Sequence, residues 1–126
     1  AIEGVGGVLD ASTAAESTIY WAKVAAEHFS LALQVLTEML LRPTVPPAEV
    51  EKERRVIVEE LHMLADSPPD WAYELLGRIL WPGHALGRDI GGTPESVGRI
   101  GREDLLAYRE ACYHAGTMVA VVAGEP

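Results

Sequence analysis

The sequence predicts an α+β fold: an antiparallel sheet, made of a hairpin plus a later strand, packed with several helices. Three observations carry this prediction. Two short β-branched or aromatic runs, Val8 to Ser12 and Thr18 to Val24, stand close together near the start. Long segments with helical apolar spacing follow them. A continuous apolar run, Thr117 to Ala123, lies between Gly116 and Gly124 and reads as a buried strand.

The elements follow in order. Gly6-Gly7 permits a tight bend ahead of the first strand. Thr13 to Ser17 joins the two runs as a hairpin turn, held by Glu16 and Thr18. Glu27 to Leu41 is helical, with Phe29, Ala32, Leu33, Leu36, Met39 and Leu40 on one stripe. Pro43 stops it, and Pro46-Pro47 suits the first turn of the next helix. That helix ends near Ala65-Asp66, before Pro68-Pro69. Pro69 to Leu80 follows, with Trp71, Leu75, Leu76 and Ile79 expected inward, and Trp81-Pro82-Gly83 ends it. His84 to Gly92 reads as a Gly-punctuated loop. Thr93-Pro94 is an N-cap followed by proline at the first helical position. Arg102 to Cys112 is a further amphipathic helix.

The composition narrows the function. With 126 residues, the chain suits one domain or a piece of one, and 48% hydrophobic residues is ordinary for a globular core. A net charge of −9 without a basic cluster argues against nucleic-acid binding. No apolar run approaches the roughly 20 residues that span a bilayer. A soluble protein, cytoplasmic or exported, with no membrane partner is expected. The single cysteine, Cys112, excludes an internal disulfide and a zinc site built on several cysteines. It reads as a packing residue.

The stretch from Glu49 to Leu64 contains neither Gly nor Pro, and Val50, Ile57, Leu61 and Leu64 recur at helical spacing. Glu53 and Glu60 are placed on that apolar side. Seven residues apart, they fall within about 20° of each other and roughly 10 Å along the axis. A carboxylate that faces a core is costly unless something positive or hydrogen-bonding meets it. A metal ion would serve, and so would an arginine. The other acids read as solvated i,i+4 pairs, Glu51 with Arg55 and Arg55 with Glu59. His62 points away from Glu60 as a surface histidine, within reach of Glu59, and His84 reads as a turn residue.

Several of these pieces share an order with one family. Gly6-Gly7-Val8-Leu9-Asp10-Ala11-Ser12-Thr13 through Glu16, Thr18 and Tyr20 resembles the G-G-x-x-N-A-x-T-x-x-E-x-T-x-Y segment of the pitrilysin–insulinase (processing-peptidase-like) zinc metallopeptidases. Glu51 to Glu60 is similar to that family's E-x-E-R-x-V-I-x-x-E. His84 to Gly91 resembles its H-P-L-G-x-x-I-x-G, and Tyr113 to Gly124 its Y-x-x-x-x-M-V-x-x-x-x-G. The pieces are colinear over nearly the whole chain.

The resemblance implies a catalytic zinc held by two histidines of an H-x-x-E-H helix and by a distant glutamate. That glutamate maps onto Glu60, and a supporting acid maps onto Glu53. The strand around Asp10, Ala11 and Ser12 maps onto an edge that pairs with the substrate backbone. Asp10 stands where the family usually has asparagine.

The chain departs from the family in one respect. It has no H-x-x-E-H, since no two of His28, His62, His84 and His114 are four apart. It is therefore expected to be an interior portion of a peptidase domain, metal-free and inactive alone, with zinc bound in the parent. The partners expected are peptide substrate and the rest of the domain or a second homologous domain or subunit. Self-association through unpaired strand edges is also expected. The alternative is a part of a non-catalytic family subunit that encloses substrate.

Overall fold

Ala14 N–H donates to Ser17 O at 2.8 Å and closes a two-residue turn at Ala15-Glu16. In the computed structural model, which describes residues 1–124, this turn joins β1 (Val8–Thr13) to β2 (Thr18–Lys23). The backbone itself makes that closing bond. The strands pair antiparallel, with Val8 opposite Lys23, Asp10 opposite Trp21 and Ser12 opposite Ile19. Gly7 precedes β1 because nothing larger fits: a Cβ there would lie 2.7 Å from Val24 Cγ1 and 2.9 Å from Lys23 O.

A 3-10 turn, Ala26–His28, leads into α1 (Phe29–Leu41). Then come α2 (Pro47–Asp66), α3 (Pro68–Leu80), a 3-10 turn Ala85–Gly87, α4 (Pro94–Arg99) and α5 (Arg102–Cys112). Proline stands in the first turn of α2, α3 and α4, where its missing N–H leaves no hydrogen bond unmade. Thr93 and Ser96 form a reciprocal capping box on α4: each hydroxyl accepts the other's backbone N–H, at 3.2 and 2.8 Å.

The chain divides into two compact units. The first comprises Ala1–Thr44 and the chain from Leu106 on; the second is Val45–Leu105. In the first unit, α1 packs on β2, with Ala32 buried and Phe29, Leu36 and Leu40 half-buried. Leu33 and Met39, from the predicted stripe, stay exposed. Arg109 of α5 donates to Leu40 O at 3.2 Å and to Leu41 O, the open carbonyls at the C-terminal end of α1. Tyr20 and Tyr113 share a hydroxyl–hydroxyl hydrogen bond of 2.9 Å, with their rings edge to face.

The second unit packs α2 against α3 and α4. Val45 has φ +41°, a conformation that a β-branched residue rarely adopts, and Arg102 Nε holds its carbonyl at 2.8 Å.

Two sequence expectations fail here. Thr117–Ala123 is not a strand, and Val119 and Val121 are 89% and 84% exposed. An apolar run becomes a strand only where a neighbour accepts its backbone groups, and the described sheet contains β1 and β2 alone. Together with Tyr20–Ala26 and the apolar side of α1, this run borders an open groove of about 800 Å³. On α3, Trp71 is half-buried, but Leu75, Leu76 and Ile79 are exposed. The half-buried side is instead Trp71, Glu74 and Gly77, so the apolar face of α3 lacks a cover among the described residues.

Candidate metal-ligand helix and substrate-pairing strand

The rotation of α2 is fixed by Arg54. Its Nη2 donates to Ile100 O at 2.6 Å and its Nε to Val97 O at 3.3 Å, which satisfies carbonyls at the C-terminal end of α4. Its Nη1 meets Glu51 Oε2 at 2.5 Å. The i,i+4 pairs expected of Arg55 are thus replaced by an i,i+3 pair of Arg54, because a guanidinium anchored on α4 brings its free nitrogen back over Glu51. His62 is exposed, with Nδ1 4.0 Å from Glu59, as its spacing predicted.

With Arg54 seated, Val50, Ile57, Val58, Leu61 and Leu64 form the half-buried side of α2. Leu61 fits closely under the loop, where a Cβ on Gly91 would lie 2.9 Å from its Cδ2. Glu53 and Glu60 do not point into this core. Both are exposed, which corrects the inward placement expected from the sequence. The reason is angular. At about 100° per residue, both lie roughly 70–90° round the helix from the middle of the half-buried side. They do share one flank with each other, and Val56 and Met63, 43% and 71% exposed, share it with them.

Among the described residues, no lysine, arginine or histidine comes within ion-pair distance of Glu53 or Glu60. Arginine was one of the two partners that the sequence left open. Nor do three or more His, Cys, Asp or Glu side chains among the described residues gather to hold a metal. Glu60 fits a zinc ion as one exposed carboxylate donor; these residues do not form a complete ligand set.

The second candidate element is β1, with Asp10, Ala11 and Ser12, which belongs to the first unit, whereas Glu53 and Glu60 belong to the second. Ladder bonds alternate along an antiparallel pair. Because Ala14 and Ser17 form a hydrogen-bonded pair, Ser12–Ile19 and Asp10–Trp21 do too, whereas Leu9, Ala11 and Thr13 turn their backbone groups to the free edge. Of the three predicted residues, only Ala11 therefore offers backbone groups to an incoming strand. Its neighbours in that role are Leu9 and Thr13. The alternation was recoverable from sequence once the two-residue turn was placed. Cys112, expected to pack, is exposed, and the Cys112 thiol holds the nearby Tyr108 hydroxyl above its usual range. His84 is the turn residue expected: its Nδ1 accepts Leu86 N–H at 3.2 Å.

Comparison with known proteins identifies the family. The family described as Insulinase (Peptidase family M16) matches residues 1–94. The chain belongs to the M16 peptidase family. It is 37% identical over 120 residues to the uncharacterized zinc protease YmxG of Bacillus subtilis, a match that covers 95% of this chain and 29% of that protein. It is 32% identical over 123 residues to the human mitochondrial-processing peptidase subunit beta, covering 98% of this chain and 25% of that one. The crystal structure of an M16-like peptidase from Alicyclobacillus acidocaldarius superposes with a TM-score of 0.77 at 29% identity, over 90% of this chain and 26% of that one. This M16 chain thus spans between a quarter and three tenths of the length of these relatives. No helix among the described residues is long and apolar enough to cross a membrane.

Proposed function

We propose that this chain is part of the catalytic domain of an M16 zinc endopeptidase that hydrolyses peptides or small unfolded proteins. In this reading Glu60 is the third protein ligand of the zinc, Glu53 supports it, and β1 pairs with the substrate backbone. Zinc in such a site supplies a bound water of lowered pKa and polarises the scissile carbonyl. The chain's own part is to hold two carboxylates on one flank of a helix whose rotation Arg54 fixes, and to present the free edge of β1.

The observation that carries the reading is the flank itself. Two carboxylates without cationic partners among the described residues alternate there with two exposed apolar side chains, on a helix anchored elsewhere. A face turned only to solvent is mostly charged or polar. A face to be covered by further polypeptide and a cation has this mixed pattern. The exposed apolar side of α3, the groove along β2 and the relatives' greater length support the same conclusion: the chain works within a longer domain. That remaining polypeptide, or a second homologous domain or subunit, is its proposed partner. Alone, the chain is proposed to be inactive.

The test is Glu60→Gln in the longer protein. Zinc content and peptidase activity fall to near zero while the circular dichroism spectrum and melting temperature hold, since an exposed side chain contributes within about 0.5 kcal/mol to stability. Undiminished zinc and turnover would remove the assignment. Absence of H-x-x-E-H from the longer protein would point instead to a non-catalytic subunit that encloses substrate.

A further inference from the structure

The free edge of β1 is not fully open. Asp10 Oδ1 accepts the Ala11 N–H at 2.8 Å. By the ladder alternation, that N–H is one of the donors directed away from β2. The two observations are independent and agree, because a donor spent in the β1–β2 ladder could not have made this bond. The bond is exposed, so water and a visiting strand compete for the same hydrogen.

We infer that Asp10 guards this edge: its carboxylate occupies the Ala11 donor, and an extended peptide pairs there only by displacing it. This rests on the proposed pairing role of β1. A bare strand edge accepts any chain, including a second copy, and charge on the edge is a common defence. Here the guard is an internal competitor for one particular donor. It lowers affinity for every extended peptide equally, whatever its side chains, because the contested group is backbone. It also assigns Asp10 a role opposite to that of a substrate contact: removing its side chain strengthens pairing.

The experiment uses the 126-residue chain and the capped, uncharged peptide acetyl-Thr-Val-Thr-Val-Thr-Val-amide, with binding followed by residue-resolved NMR. In Asp10→Ala, the Ala11 amide exchanges faster in the free protein. The peptide then binds about threefold to tenfold more tightly than to the unaltered chain, as expected for one competing hydrogen bond. The shifts concentrate at Leu9, Ala11 and Thr13. Glu16→Gln removes one negative charge from the hairpin turn without touching the edge and leaves the affinity unchanged. If Asp10→Ala does not fold, Asp10→Asn, which keeps the shape and weakens the acceptor, shows the same direction.

Equal affinity of the variant and the unaltered chain, with shifts still at Leu9, Ala11 and Thr13, overturns the guard and leaves strand pairing standing. Weaker binding by the variant also overturns it and makes Asp10 a contact. Shifts confined to other residues, or no binding by either protein, remove the pairing role of β1 and the guard with it.

Discussion

Arg54→Ala tests the anchoring of the candidate metal-ligand helix most directly. The substitution deletes the 2.6 Å bond to Ile100 O, the 3.3 Å bond to Val97 O and the pair with Glu51. A hydrogen bond from a charged donor contributes roughly 1.5–3 kcal/mol; the low end applies at Ile100, where water can take over. The longer bond adds about 0.5 kcal/mol, and the exposed pair about 0.3 kcal/mol. The loss is therefore about 2 kcal/mol in the second unit. With a urea slope of roughly 2 kcal/mol per molar, the midpoint falls by about 1 M. Trp71 and Trp81 lie in that unit and Trp21 in the other, so fluorescence in a Trp21→Phe background isolates the transition. Arg54→Lys keeps the charge but cannot fork to two carbonyls, and recovers less than half of the loss. A midpoint unchanged in Arg54→Ala, or fully restored by lysine, would refute the view that this guanidinium sets the rotation of α2.

Three further outcomes are expected. Burial, then the hydrogen bond to Tyr113 and the charges of Tyr113 and Tyr108, pushes the Tyr20 hydroxyl up to about 12. The folded state thus holds its proton more tightly than the unfolded chain, so stability present below pH about 10 is lost as pH rises towards about 12, by less than ~2.7 kcal/mol because the hydroxyl is partly exposed. Absorbance titration at alkaline pH checks this; a Tyr20 that ionises with the other tyrosines would contradict it, and Tyr113→Phe lowers its pKa only in part, since burial is the larger cause. The chain self-associates through its open apolar faces, seen as a sedimentation coefficient that rises with concentration; a monomer at all concentrations would count against those faces being interfaces. In the longer zinc-loaded protein, Glu53→Gln retains the metal but lowers turnover about 10–100-fold, as a supporting group does; loss of zinc equal to that in Glu60→Gln would make Glu53 a ligand instead.

Most of the local structure was legible in the sequence because its signals are themselves local. The β-branched runs around a short turn gave the hairpin, and Pro47 and Pro94 marked two helix starts, while α3 begins at Pro68, one residue before the expected Pro69. The Thr93 cap and the full extent of α5 were equally plain. The missed elements depend on neighbours. Thr117–Ala123 has strand composition but no described strand beside it, so its backbone is not drawn into a ladder. On α3, the half-buried side is Trp71, Glu74 and Gly77, and the larger apolar residues Leu75, Leu76 and Ile79 are left outside.

For the candidate site, the amino-acid order alone determined that Glu53 and Glu60 share a side of α2, since helical pitch fixes the angle between positions seven apart. It also identified the family, through the residues around Asp10, Glu53 and His84. Which way that side faces was decided only in three dimensions. The Arg54 guanidinium meets α4 and turns both carboxylates to an open flank. Likewise, the hairpin pattern gave β1, but the alternation of ladder bonds selected Ala11 as an edge donor, and a contact too short-range for any periodicity to reveal put Asp10 across it. Pitch and pleat are properties of one segment; what a face meets depends on every other segment.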